Sequence, residues 1–107
     1  MSALLADVIA LVQTGDVRVS VHGYRRLAAH SISIYDVESN IRDAKVVEDY
    51  PNYHAGPTVL VLQTDAAGNP IHVLWGLMQN TSRPAVLITT YRPDPARWSA
   101  DFRRRLP

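Results

Sequence analysis

The first forty residues place apolar positions at the spacing of amphipathic helices. Ser2 and Gly15 fit the start and the end of a first helix, whose apolar positions are 4, 5, 8, 9, 11 and 12. Valine alternates with polar residues over 17–21, which predicts a short extended segment. A second helix is predicted from about residue 20 to residue 30. The hydroxyl of Ser33 can cap a third helix.

Beyond Lys45 the pattern changes to that of β-strands. Two strands rich in β-branched residues, over 58–64 and 71–78, flank a hairpin turn at 66–69. A third strand is predicted at 85–91, where two prolines end it.

The C-terminal residues 96–105 are predicted to form a helix, with Pro95 at its start and with Trp98 and Phe102 one turn apart as anchors. The order of elements predicts an α+β fold, in which N-terminal helices pack on a three- to four-stranded antiparallel sheet and a C-terminal helix follows. No linker-like stretch divides the chain, so we expect residues 1–107 to form a single domain.

The composition excludes several classes of protein. The chain has no run approaching 18 apolar residues, so it encodes no membrane span. It has no cysteine, which excludes disulfides, iron–sulfur clusters and thiolate zinc sites. The N-terminal segment lacks a basic region and carries Asp7, so the sequence predicts an amphipathic helix there and not a signal peptide. We expect a cytoplasmic protein of bacterial type with no membrane partner.

The net charge of +1 conceals an uneven distribution of charged residues. Residues 36–82 carry one arginine and one lysine against six acidic residues, whereas residues 83–107 carry six arginines against two aspartates. A basic segment of this kind creates a local positive field that attracts phosphates. Alternatively, the acidic and basic segments pair with each other, either within the fold or across a homodimer.

The histidines stand at positions 22, 30, 54 and 72, and none has the H-E-x-x-H spacing of a helical zinc site. We therefore expect no metal and no cofactor. His22 falls in the first turn of the second helix, where exposed backbone N–H groups favour a phosphate, and Arg25 and Arg26 follow it. This arrangement predicts an anion site. Alternatively, the side chain of His22 caps a neighbouring loop.

Two further candidates lie on the predicted strands. His72 alternates with apolar neighbours, so it is either a hydrogen-bonded core residue or a residue of a cleft floor, where a neutral imidazole can act as a general base. Tyr91 and Arg92 end the last strand, where tyrosine can stack on a base and arginine can grip a phosphate. Alternatively, Tyr91 packs beneath the C-terminal segment with Trp98.

Several of these segments resemble the DUF4258 family. Residues 20–27, SVHGYRRL, together with Ile32–Ser33 and Asp36–Val37, resemble its S-x-H-A-x-x-R-M…G-I-x-x-x-D-V opening. Residues 47–51, VEDYP, resemble its V-I-E-D-Y-P segment, and residues 88–95, ITTYRPDP, are similar to its I-T-x-Y-x-P-D-P ending. The resemblance runs from about residue 16 to residue 105.

The family is largely of unknown function, and its order of elements is similar to that of small bacterial toxins of the RelE/ParE type, which include ribonucleases. The resemblance therefore implies RNA or the ribosome as a target and an antitoxin-like protein as a partner. Where relatives usually have E-R-G after the second-helix motif, this chain has Ala29–His30–Ser31, and where they often have glutamate after the strand tyrosine, it has Arg92. The first departure removes an expected arginine, for which His30 can substitute as a binding residue only when it is protonated.

Two hypotheses of function follow. In the first, a RelE/ParE-like toxin cleaves RNA without a metal: His22 or His72 is the base, Arg26 and Arg92 stabilise the phosphorane, and Tyr91 protonates or orients the leaving oxygen. In the second, the protein is a non-catalytic module that binds a protein or a nucleic acid. The first hypothesis requires these side chains to converge on one cleft.

Overall fold

The computed structural model describes residues 2–107, and its helices begin where hydroxyl side chains can cap them. Helix α1 spans Ala3–Gln13, and the side chain of Ser2 accepts a hydrogen bond of 3.2 Å from the backbone of Leu5. Gly15 follows the helix with a φ of +78°, a conformation that glycine adopts without strain. The predicted first helix is confirmed.

Two shorter helices follow, each capped by a serine. Helix α2 spans Val21–Ala29, and Ser20 Oγ accepts from the backbone of Gly23 at 2.9 Å. Helix α3 spans Ile34–Ser39 after Ser33, and a 3₁₀ turn at Ile41–Asp43 leads into the sheet. Since a side-chain cap is a local signal, the sequence predicts both helix starts correctly. No helix among residues 2–107 is long and apolar enough to cross a membrane.

The sheet has five strands and mixed pairing. The strands are β1 (Val17–Val19), β2 (Lys45–Tyr50), β3 (Thr58–Thr64), β4 (Pro70–Gly76) and β5 (Ala85–Tyr91). Their spatial order is β1-β5-β4-β3-β2. Strand β1 runs parallel to β5, and the other neighbours are antiparallel. The α+β class is confirmed, but the predicted three- to four-stranded antiparallel sheet is wrong in strand number and in pairing.

The additional edge strand arises from a pairing that is distant in sequence. Val17 lies opposite Ala85, and Val19 lies opposite Leu87. Beyond β1, Ser20 Oγ donates to the carbonyl oxygen of Ile88 at 2.9 Å, so α2 begins at the edge of β5. Helix α2 therefore covers the part of this edge that β1 leaves unpaired.

One face of the sheet packs against the helices and forms the core. Ile71, Val73 and Trp75 alternate along β4 on this face, and each is fully buried. Gln63 is a buried polar residue of the core: it donates to the carbonyl oxygen of Val37 at 2.8 Å and accepts from the indole of Trp75 at 3.1 Å. These two bonds satisfy the amide, which would otherwise be costly to bury.

The prediction of a C-terminal helix is wrong. Residues 93–107 form turns, and an isolated antiparallel bridge joins Trp98 to Arg105. Phe102 has a φ of +59°, which an α-helix cannot contain. Asp101 accepts from Ser99 Oγ at 2.5 Å and from the backbone of Arg103 at 3.1 Å. Such local bonds from serine and aspartate compete with helix formation.

Candidate functional site

Two grooves meet at Tyr91 and Arg105. The arginine groove has a volume of about 700 Å³ and is lined by Arg26, His30, Tyr91, Arg92, Asp94, Ala96, Arg97, Trp98, Arg105, Leu106 and Pro107. The aromatic groove has a volume of about 320 Å³ and is lined by Tyr50, Tyr53, Thr58, Leu60, Leu74, Ile88, Thr89, Tyr91 and Arg105. Since Tyr91 and Arg105 line both, the two grooves adjoin at these side chains.

Helix α2 supplies one wall of the arginine groove. Its residues His22 and Arg26 and its C-cap residue His30 are spaced by four, which places them on one side of the helix. His22 is exposed, and its Nε2 lies 3.1 Å from Thr89 Oγ1 on β5. Thr89 is two positions before Tyr91, so both side chains project from the same face of the strand. The motif around His22 therefore faces the end of β5.

Arg26 and His30 form a pair along α2. A guanidinium can only donate, so His30 Nε2 is the acceptor in its bond of 2.6 Å to Arg26 Nη2. Burial and the neighbouring charges of Arg26 and Arg92 lower the pKa of His30 below its ordinary 6.5. His30 is therefore a neutral acceptor that orients Arg26, and it does not supply the positive charge of a missing arginine.

The donors of Arg92 are used within the fold. Its Nε donates to the carbonyl oxygen of His30 at 3.0 Å, its Nη2 to that of Ser31 at 3.2 Å, and its Nη1 to Asp65 Oδ2 at 2.9 Å. Backbone bonding from Asn69, and then the bond from Arg92, lower the pKa of Asp65. Arg92 thus ties the end of β5 to the end of α2 and to the β3–β4 turn, which limits its freedom to grip a phosphate.

His72 is completely buried between Tyr91 and the C-terminal segment. Its Nε2 lies 2.7 Å from the carbonyl oxygen of Phe102, which can only accept, so Nε2 carries the proton. Nδ1 then accepts from the hydroxyl of Tyr91 at 3.0 Å. Trp98 covers the ring edge-to-face, with centroids 4.4 Å apart. Burial lowers the pKa of His72, which keeps the ring neutral.

Arg105 connects the C-terminal segment to β2. Its Nε donates to Glu48 Oε1 at 2.8 Å, and its guanidinium lies 4.8 Å from the centre of the Trp98 ring. The hydroxyl of Tyr50 donates to the other oxygen of Glu48 at 2.5 Å. The bond from Tyr50, followed by that from Arg105, lowers the pKa of Glu48. These contacts fix two residues, Tyr50 and Arg105, on the wall of the aromatic groove.

Two ion pairs join the basic segment to the acidic segment, and a third joins the basic segment to Asp16. Arg83 pairs with Asp16 at 2.6 Å, Arg92 with Asp65 at 2.9 Å, and Arg105 with Glu48 at 2.8 Å. Two groove arginines are different. Arg26 bonds to a neutral imidazole, and Arg97, 83% exposed, lies 3.9 Å from an exposed Asp94. The groove therefore has more positive than negative charge, with Arg26 and Arg97 as its least neutralised cations.

The structure brings together only some of the residues that the sequence singles out. Arg26, His30, Tyr91 and Arg92 line the arginine groove, and His22 contacts the same strand through Thr89. Arg25 is exposed on α2 and lines neither groove. His72 lies below Tyr91, away from solvent. Within residues 2–107 no three His, Asp or Glu side chains are grouped closely enough to hold a metal ion.

The groove residues that the prediction missed include two tyrosines and two arginines: Tyr50, Tyr53, Arg97 and Arg105. Tyr50 and Tyr53 lie in the turn-rich stretch YPNYHAGP. The two tyrosines three positions apart are the feature of the sequence that could have identified them as candidate site residues. The positions of Arg97 and Arg105 depend on the fold of the C-terminal segment. The sequence predicts a helix for this segment, whereas the observed turns bring both side chains to the groove.

Comparison with known proteins identifies the family. A model of the family described as Domain of unknown function (DUF4258) matches residues 19–92. The chain therefore belongs to the DUF4258 family. The match covers α2 and all of β2 to β5, and it ends at Arg92, before the segment that supplies Arg97 and Arg105. Searches of the curated proteins and of the solved structures each found no significant match.

Proposed function

We propose that this member of the DUF4258 family binds single-stranded RNA through the arginine groove. The observation that carries the proposal is the position of Arg26 and Arg97 beside Tyr91 in an open polar groove. Arginine recognises phosphate with paired N–H donors, and its charge is never lost near neutral pH. The choice of RNA rests on the resemblance to RelE/ParE-type toxins.

The electrostatics of the groove support a polyanion as the ligand. Arg92 and Arg105 are neutralised by Asp65 and Glu48, so they hold the walls in place. Arg26 and Arg97 lack comparable acidic partners at short range, and an RNA phosphate supplies one. Binding to single strands releases counterions, so the affinity should fall as salt rises.

Fluorescence anisotropy with a labelled RNA oligonucleotide tests this proposal. The logarithm of the association constant should fall linearly with the logarithm of the salt concentration, and each phosphate contact on a single strand contributes a slope of about 0.7. Arg97→Ala should lower both affinity and slope. Arg42→Ala, which removes the same charge from an exposed position beside the opposite sheet edge, is the matched control. Equal losses in the two variants, or no binding at low salt, would refute the proposal.

Metal-independent RNA cleavage is the second candidate, and the exposed His22 beside β5 favours it. His22 would remove the proton of a 2′-hydroxyl, O2′ would bond to phosphorus, and the bond from phosphorus to O5′ would break with a solvent proton passing to O5′. Arg26 would stabilise the charge on the phosphorane. Burial raises the pKa of Tyr91, and its hydroxyl is bonded to His72, so Tyr91 contributes its ring to the groove and donates no proton to the leaving oxygen.

Incubation of labelled RNA with the protein in the presence of a chelator separates the two candidates. Cleavage to a 2′,3′-cyclic phosphate that His22→Ala abolishes, with RNA affinity retained, would establish the enzyme. Salt-dependent binding without cleavage would establish the non-catalytic module. Growth arrest on expression, lost in the same variant, would extend the first result to a toxin, for which an antitoxin-like protein is the proposed partner.

A further inference from the structure

We propose that the aromatic groove is a base-binding subsite, which accepts one unstacked base of the RNA strand whose phosphates lie in the arginine groove. This inference rests on the proposed function and assigns a ligand to a surface that phosphate binding leaves unused. The chemical class of the ligand is a planar nucleobase on a single strand.

The two grooves lie side by side. Tyr91 and Arg105 line both of them, so a chain that leaves the arginine groove passes these side chains and enters the aromatic groove. In a single strand the base is joined to its phosphate through the sugar. A phosphate held near Tyr91 therefore has the aromatic groove within reach of its base.

The walls of the aromatic groove suit a flat apolar face. Leu60, Leu74 and Ile88 come from three neighbouring strands, and their side chains lie on the sheet face opposite the helices. At the rim, Tyr53 is 50% exposed. Every nucleobase has a π-face, and aromatic side chains bind such faces with little regard to sequence.

One wall of the groove is held rigid before any ligand arrives. Tyr50 donates to Glu48 at 2.5 Å, and Arg105 holds the other carboxylate oxygen at 2.8 Å. Since these side chains are already ordered, a base that packs against them costs less conformational entropy. The volume of about 320 Å³ lies at the lower end of the range for small-molecule pockets, which fits one base and its sugar.

An apolar segment of another protein would match the same walls. The adjoining cationic groove favours the nucleic acid, because a peptide with an apolar side chain has no phosphate to place beside Arg26 and Arg97. A protein in this groove is accordingly an outcome that would overturn the proposal.

Two oligomers of equal length test the base subsite: an oligouridylate, and a fully abasic ribose-phosphate chain with the same number of phosphates. The wild-type protein should bind the oligouridylate more tightly. Tyr53→Ala should weaken binding of the oligouridylate about five- to 150-fold, the range of a lost base–aromatic stack, and leave binding of the abasic chain unchanged. Tyr53→Phe, which keeps the ring, should retain the affinity.

Tyr35→Ala is the matched control, because Tyr35 is 78% exposed on α3 and lines neither groove. If the wild type binds both oligomers equally and Tyr53→Ala changes neither affinity, the base subsite is refuted while phosphate binding stands. If the wild type binds neither oligomer, the proposed function itself fails. Self-association that Tyr53→Ala abolishes, without any effect of the bases, would assign the aromatic groove to a protein partner and refute the subsite.

Discussion

The hydroxyl of Tyr91 donates a hydrogen bond to Nδ1 of His72 across 3.0 Å. The other ring nitrogen of His72 is held by the carbonyl oxygen of Phe102 at 2.7 Å, so the imidazole cannot turn without losing both bonds. A buried neutral histidine thus sets the direction of a tyrosine that lines both grooves. Its role is to position Tyr91, and its burial keeps it out of contact with any ligand in the grooves.

The first prediction concerns stability and pH. The pKa of His72 is below its ordinary 6.5 in the folded protein, so below pH 6.5 the unfolded chain binds more protons than the folded one. The contribution of neutral His72 to the free energy of unfolding is therefore complete above pH 6.5, and it decreases as the pH falls below that value. His30, whose pKa is also lowered, acts with the same sign.

Urea unfolding of the wild type and of His72→Phe between pH 5.5 and pH 8 measures this effect. At pH 8 the free energy of unfolding of the variant should be lower than that of the wild type by about 1–3 kcal/mol, because the carbonyl oxygen of Phe102 loses its donor. As the pH falls from 8 to 5.5, the free energy of unfolding should decrease less for the variant than for the wild type, because the variant has no histidine at this position. Parallel pH profiles for the two proteins would contradict the role of His72.

The second prediction concerns the hydroxyl of Tyr91. Tyr91→Phe removes the donor to His72 and keeps the ring that lines the grooves, so it should cost about 0.5–1.5 kcal/mol of unfolding free energy. RNA affinity should change little. Denaturant unfolding and anisotropy measure the two quantities, and a large loss of affinity at full stability would show that the hydroxyl binds RNA directly.

The third prediction separates Arg92 from Arg97. Arg92→Lys should destabilise the fold by about 1–2 kcal/mol, because one ammonium cannot serve the two carbonyls and the carboxylate that the guanidinium bonds. Arg97→Lys should leave stability unchanged, since this side chain is 83% exposed. Thermal unfolding compares the two variants. Equal melting temperatures would show that the bonds of Arg92 contribute no net stability.

The fourth prediction concerns the charge of Arg105. Arg105→Met retains apolar cover over Trp98 and removes a positive charge that lowers the pKa of both His72 and Glu48. Both pKa values should therefore rise, and NMR titration of the two side chains measures them. Arg104→Met is the control, because Arg104 is exposed and lines neither groove. A fall in either pKa would contradict the assigned contacts.

The sequence predicts the elements whose signals are local. Ser2, Ser20 and Ser33 each mark a helix start that the structure confirms. The β3–β4 hairpin is likewise correct, since its turn residues and flanking strands are adjacent in the chain. The convergence of Arg26, His30 and Tyr91 is not local, so no spacing along the chain predicts it.

The errors come from contacts between distant residues. Strand β1 has three residues and gains its partner only from β5, so its sequence alone does not reveal the pairing. At the C-terminus, Trp98 and Phe102 have helical spacing, but Trp98 packs on His72 and the carbonyl oxygen of Phe102 accepts from the same ring. Tertiary contacts override the helical pattern there.

The pairing of β1 with β5 also has a consequence for the order of folding. Ser20 and Ile88 are 68 positions apart, and closing so long a loop costs more entropy than closing the β3–β4 turn. We expect the hairpin to form early, and the junction of α2 with β5 to form late. A chain still emerging from the ribosome therefore has no arginine groove until the residues beyond Tyr91 are available. Only a chain that has completed its folding is then expected to bind a ligand there.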